Sequence, residues 1–138
     1  MKGLARKGAV PVKGMPSREE FEALVEEALG GFPEDFRRLA FDNLAVVVED
    51  IASPEEARRA GVRDPMLLLG LYSGVPFTQW GRDRYLGPPD VIRIYRLPIL
   101  AEVGAGGDVR EKVRQVVLHE LGHRAGLGEE RLRELGVY

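Results

Sequence analysis

Cysteine is absent from this 138-residue chain, which excludes disulfides and leaves no thiolate for a metal or a nucleophile. Histidine is almost as scarce, with two residues in the whole chain. No uninterrupted apolar run approaches the ~20 residues that span a bilayer, so a membrane helix is not expected. Neither charge sign dominates: 20 basic residues face 22 acidic ones, for a formal net charge of -2. With the signs interspersed there is no stripe for phosphates, which argues against nucleic acid as a main partner. Residues 1–14, MKGLARKGAVPVKG, lack the apolar core of about 7–15 residues that a secretory signal needs. The cytoplasm is therefore the expected compartment. That stretch reads as a disordered tail, with Met15 as an alternative start, and residues 15–138 as one domain. At 44% apolar and 30% charged residues the composition is globular. A chain of this size buries roughly two thirds of its unfolded surface, enough for a single core.

The two scarce histidines lie in one pentapeptide, His119-Glu120-Leu121-Gly122-His123. Random placement would produce such a match in well under ~1% of chains this long. On a helix, residues four apart share a face with Cβ atoms roughly 5–6 Å apart, so two imidazoles can bind one metal ion, and the spacing suits zinc. A helix is expected here, from an Asp108 N-cap with Glu111 in a capping-box pattern to a left-handed stop at Gly126. Counting ~100° per residue from His119, Val116, Val109, Val113, Val117 and Leu121 fall between ~60° and ~200° and form the core stripe. The histidines stand at its edge, and Lys112 and Gln115 continue the polar side. Glu120 falls near ~100°, inside the stripe, where a carboxylate is costly unless something compensates it. A general base beside a metal requires such a placement. Two imidazoles and a third protein ligand would leave one zinc position open and bring the pKa of its water toward ~7. Glu120 could then take the proton and pass it to a leaving amine.

The third ligand has to be an oxygen donor, because no histidine remains and there is no cysteine. Glu129 stands ten residues after His119, where the longer pattern HExxHxxGxxH places its last ligand. Glu130 is the neighbouring alternative. Both also suit the positive end of a following helix without binding any metal. Two histidines that merely pack in the core or on the surface form the plainest alternative to a metal site.

The ordered segments "SREEFEALVEEAL", "NLAVVVED", "LLGLYSGVP", "IRIYRLPI" and "VVLHELGHRAGLGEERLRELG" resemble the bacterial minimal-zincin family of zincin-like metallopeptidases, over about Met15 to Tyr138. The resemblance implies a compact α+β fold in which a short mixed sheet packs on a metal-bearing HExxH helix, with additional helices. It implies zinc held by His119, His123 and an acidic third ligand, with Glu120 as catalytic base and a peptide or protein as substrate. Family members tend to carry HExxHxxGxxD, so Glu129 is a departure in which a longer carboxylate replaces Asp. Two other readings stand beside peptidase activity. One is a metal-binding interaction or regulatory module without activity of its own. The other is a metal-dependent ribonuclease, whose pattern HxxxHxxGxxH lacks the glutamate and needs a third histidine.

Along the chain the expected element order is α-α-β-α-β-β-α-α. Ser17 and Glu20 form a capping box, and Phe21, Leu24, Val25, Ala28 and Leu29 follow the helical i, i+3, i+4 rhythm until Gly30-Gly31. Pro33 opens a short helix through about Leu39. A buried strand is expected from Leu44 to Ile51, a short helix from Pro54 to about Ala60, and strands over Leu67–Ser73 and Val91–Leu97. The long connection from Gly74 to Asp90, with Phe77, Trp80 and Tyr85, is either a functional lid or an aromatic cover for the core. Substrate would add as a strand along Leu67–Ser73 or Val91–Leu97. Tyr72, Tyr95, Arg93 and Arg96 are candidate donors to a developing oxyanion.

Overall fold

The computed structural model describes residues 15–32, 34, 43–74, 89–126 and 128–134. The helix expected after Pro33, apart from Glu34, the tail before Met15 and the aromatics of the long connection lie outside the described residues. Among the described residues, no helix is long and apolar enough to cross a membrane.

The first helix, α1 (Arg18–Gly30), begins where its cap is written. The Ser17 side chain accepts from the Glu20 N–H at 3.1 Å, and Glu20 accepts in return from the Ser17 N–H at 2.8 Å. Two otherwise orphaned donors are thereby satisfied. Phe21, Leu24, Val25, Ala28 and Leu29 are its buried face, and Gly31 closes it with its N–H on the Glu27 and Ala28 carbonyls. A second capping box, Ser53 with Glu56, starts α2 (Pro54–Arg59), whose Pro54 occupies the first turn, where no N–H is needed.

Three strands, β1 (Leu44–Glu49), β2 (Gly70–Ser73) and β3 (Asp90–Tyr95), form a mixed sheet in the order β1-β3-β2. The central β3 runs parallel to β1 and antiparallel to β2. Register decides which side chains share a face. Val46 and Tyr72 flank Ile92, and Val48 and Gly70 flank Ile94, so by strand alternation these six point to one side. That side carries the main core: Val48, Ile92 and Ile94 join the α1 face, Ile99 and Leu100, and Val109, Val113, Val116, Val117 and Leu121. A smaller cluster of Ala52, Leu68 and Tyr95 occupies the other side.

Two expectations are corrected. The strand expected over Leu67–Ser73 is shorter, because Asp64 caps a 3-10 turn at Pro65–Leu67 by accepting from the Met66 N–H. The strand expected over Val91–Leu97 stops at Tyr95, and the chain passes directly into a helix that the sequence reading omitted, α3 (Arg96–Val103). Pro98 falls in its first turn, where the missing N–H costs nothing. The Leu97 N–H is satisfied instead by the Asp50 carbonyl at 3.0 Å. Gly104, at φ 75°, takes the left-handed conformation after α3 and turns the chain toward α4 (Val109–Arg124). Asp108 caps α4 by accepting from the Glu111 N–H. Gly126, at φ 91°, ends it, and its N–H bonds the His123 carbonyl at 2.9 Å. A final helix, α5, covers Glu129–Glu134.

The far side of the sheet is fastened to α2 by a polar cluster. The Tyr95 hydroxyl donates to Glu56 Oε1 at 2.9 Å, and Arg93 Nε stands 3.3 Å from Glu56 Oε2 and 3.6 Å from Glu49. Burial works against a charged Glu56. The Ser53 N–H, the Tyr95 hydroxyl and the Arg93 and Arg59 charges outweigh it, and the carboxyl titrates below its ordinary value. Burial, followed by the hydrogen bond to Glu56, pushes the Tyr95 phenol up.

Two outcomes are expected. Replacing the fully buried Ile94 with Ala should lower the unfolding free energy by about 2–5 kcal/mol in urea titrations, against about 0.5–1.5 kcal/mol for Ile94→Val. Because the Glu56 pKa is lowered on folding, its stabilisation is complete above the unfolded value of 4.5 and disappears as pH falls through the folded value. Glu56→Gln should therefore melt at a lower temperature than the wild type at neutral pH, and the difference should vanish in acid once the carboxyl is protonated in both states.

Candidate metal centre

Helix α4 lies across the sheet with its valines in the core and its histidines at the margin. Both imidazoles are half-buried, and they converge: Nε2 of His119 and Nε2 of His123 are 3.2 Å apart. The rings meet edge to face, with centroids 4.8 Å apart and planes at 81°. Two nitrogens bound to one tetrahedral zinc at about 2.0–2.1 Å are about 3.3 Å from each other. The pair thus already has the separation that a shared metal demands, and the two donors fit that group.

Glu120 is 6% exposed and sits within the apolar face of α4. Room for it comes from Gly70. A Cβ at that position would stand 3.3 Å from Glu120 Cγ, 2.9 Å from Val116 Cγ1 and 3.3 Å from the Arg93 carbonyl. The absence of a side chain lets β2 and α4 approach closely, with Glu120 lying over the strand. Glu129 is the first residue of α5, and its side chain lies outside the described residues. Glu130 is exposed. Among the described residues, no group of three or more His, Asp or Glu side chains gathers as a metal site.

Beyond the histidines the helix ends in a second polar contact with the sheet. Arg124 is fully buried, and its Nε stands 3.9 Å from Oδ2 of Asp90, itself 1% exposed. The Tyr72 hydroxyl donates to the same Asp90 oxygen at 2.7 Å. Gly74 makes way for this carboxylate, since a Cβ there would fall 2.1 Å from Asp90 Oδ1. The sequence reading missed Asp90, Arg124, Gly70 and Gly74. A signal for Arg124 was available: the angular count that exposed Glu120 puts Arg124 near ~140°, between two core valines. Gly70 in a strand pattern also signals a close backbone approach.

The four candidate oxyanion donors all have partners. Tyr95 and Arg93 join Glu56 on the far side of the sheet. Arg96 binds Asp50 at 2.9 Å and the Pro16 carbonyl at 2.7 Å. Tyr72 donates to Asp90, and of the four it alone stands in register on the face that carries the core and α4.

The family model for zincin-like metallopeptidases matches residues 41–137, and the chain belongs to that family. Among solved structures, it resembles a conserved hypothetical protein from Thermo thermophilus, at 28% identity and a TM-score of 0.51, over 80% of this chain and 94% of that one. No curated protein matches.

Replacing Gly70 with Ala is expected to destabilise the fold by about 1–3 kcal/mol, because β-branched Val116 and the Arg93 carbonyl give way poorly to an inserted methyl. Urea unfolding measures this; an unchanged midpoint would show that β2 and α4 can separate without cost.

Proposed function

We propose that this chain is a zinc-dependent peptidase in which His119 and His123 hold the metal, Glu129 completes the ligand set and Glu120 is the general base. The observation that carries the reading is the 3.2 Å approach of the two Nε2 atoms on the helix whose intervening Glu120 is buried. A structural zinc would not need that glutamate. Family membership supports the same reaction class. Zinc bound by these residues would supply a Lewis acid to the site, lowering the pKa of water and polarising a peptide carbonyl. A Glu120 carboxylate oxygen accepts the proton of the attacking water and later delivers it to the leaving amine nitrogen, so the carboxylate is restored after each cycle.

The sheet order favours one edge for the substrate. β3 is paired on both sides, by β1 and by β2, which removes Val91–Leu97 from consideration. β2 lies at the edge of the described sheet and against α4, beside Glu120. An extended peptide that adds to β2 gains main-chain hydrogen bonds while its backbone lies along the histidine helix.

Metal analysis of purified protein, followed by a peptide-library cleavage assay on wild type and Glu120→Gln, tests the assignment. Zinc is expected in both, with cleavage reduced about 10²–10⁴-fold in the variant. Zinc in both without cleavage in either would favour a metal-binding module with no activity of its own. Glu129→Ala is expected to weaken zinc binding, whereas Glu130→Ala should not; the reverse pattern would transfer the ligand role to Glu130.

A further inference from the structure

His123 occupies an exposed mechanical position. Helix α4 ends at Arg124, so one of the two convergent imidazoles projects from the terminal turn, where carbonyls lack intrahelical partners and helices fray. His119 lies a full turn deeper. Metal ligands have to be held within roughly 0.5 Å and 10–20° of their productive geometry, so the terminal turn needs an anchor. On the backbone side, Gly126 supplies one through its bond to the His123 carbonyl.

We infer that the buried cluster of Arg124, Asp90 and Tyr72 is a positioning device that fixes the last turn of α4, and with it the His123 imidazole, against the end of the sheet. The inference rests on the metal reading above. Arg124 directly follows His123, and its guanidinium is buried beside Asp90. Asp90 is the first residue of the central strand, and its carboxylate is oriented by the Tyr72 hydroxyl from the neighbouring strand. Gly74 lets that carboxylate lie against the backbone. The helix terminus is thus tied to two strands at once. Rotation of the terminal turn would drag a buried charge away from its counter-charge, which the low-dielectric interior resists. Such a contact fixes orientation where apolar packing alone would allow sliding. The side chains of Tyr72, Asp90 and Arg124 act here as positioning groups, through the helix end and the two strands they join.

The test compares Tyr72→Phe and Asp90→Asn with a control, Tyr95→Phe, which removes a similar hydroxyl–carboxylate bond on the opposite side of the sheet. Thermal melting of the metal-free proteins reports stability. Zinc affinity is read by competition with a chromophoric chelator, and ligand geometry from the visible spectrum of the cobalt(II)-substituted proteins. Wild type and Tyr95→Phe should bind zinc alike. Tyr72→Phe and Asp90→Asn should bind it about tenfold or more weakly, the scale typical of groups that support metal ligands, with an altered cobalt spectrum. Affinities within about twofold of wild type and an unchanged spectrum would overturn the positioning role, being well short of that scale. So would an equal loss in Tyr95→Phe, which would reduce the effect to general destabilisation. Wild type that binds neither metal would instead refute the metal site itself, and the positioning role with it. Should Asp90→Asn not fold, Tyr72→Phe alone decides, since it removes a single hydroxyl from a half-buried ring.

Discussion

A helix whose core-facing stripe contains both a carboxylate and a guanidinium can pack on a sheet only where the sheet offers space for one and a counter-charge for the other. Helix α4 is in that position. Glu120 and Arg124 are buried within the stripe formed by Val109, Val113, Val116, Val117 and Leu121. Gly70 provides the space and Asp90 the counter-charge. These two accommodations lie on β2 and β3 and are brought within reach of a single helix by their antiparallel pairing. The depth of α4 on the sheet, and therefore the placement of both histidines, follows from satisfying them together.

The rest of the architecture supports that helix. Helix α1 packs its apolar face into the same core, with an ion pair between Arg110 and Glu27 at the solvent margin. Helix α3 leaves the central strand without a loop and delivers Ile99 and Leu100 to the core that α4 shares. On the opposite face, the Tyr95–Glu56–Arg93 contacts fasten α2 to the sheet. One face of the sheet therefore carries the Tyr95, Glu56 and Arg93 contacts, and the other carries the Tyr72, Asp90 and Arg124 contacts at the end of the helix that bears the two histidines.

Much of this was legible from local signals. The capping box at Ser17, the helix start at Pro54 and the apolar rhythm from Phe21 to Leu29 each arise from interactions a few residues apart, and the observed helices follow them. The pentapeptide 119–123 is likewise local, since helical geometry alone brings its histidines onto one face. Misreadings arose where neighbouring signals compete. The β-branched and aromatic run through Tyr95 continues into Arg96-Leu97-Pro98, where strand propensity and a proline hide a helix start. At Pro65, a proline and an aspartate cap convert the expected beginning of β2 into a 3-10 turn. Tertiary hydrogen bonds settle such cases: the Leu97 N–H is taken by Asp50, which no reading of residues 96–98 could supply.

By itself the sequence determined the helices with explicit caps, the two imidazoles on one helical face, and the anomalous burial of an acid between them, because each depends on spacing within a turn or two. Tertiary structure alone decided that β3 is central and β2 lies at an edge of the described sheet, that Gly70 makes way for Glu120, and that Asp90 at the start of a strand meets Arg124 at the end of a helix. Those outcomes depend on strand register and on the closeness of one helix to one sheet. Residues distant in sequence are brought together by that packing, and no local periodicity encodes which of them will meet.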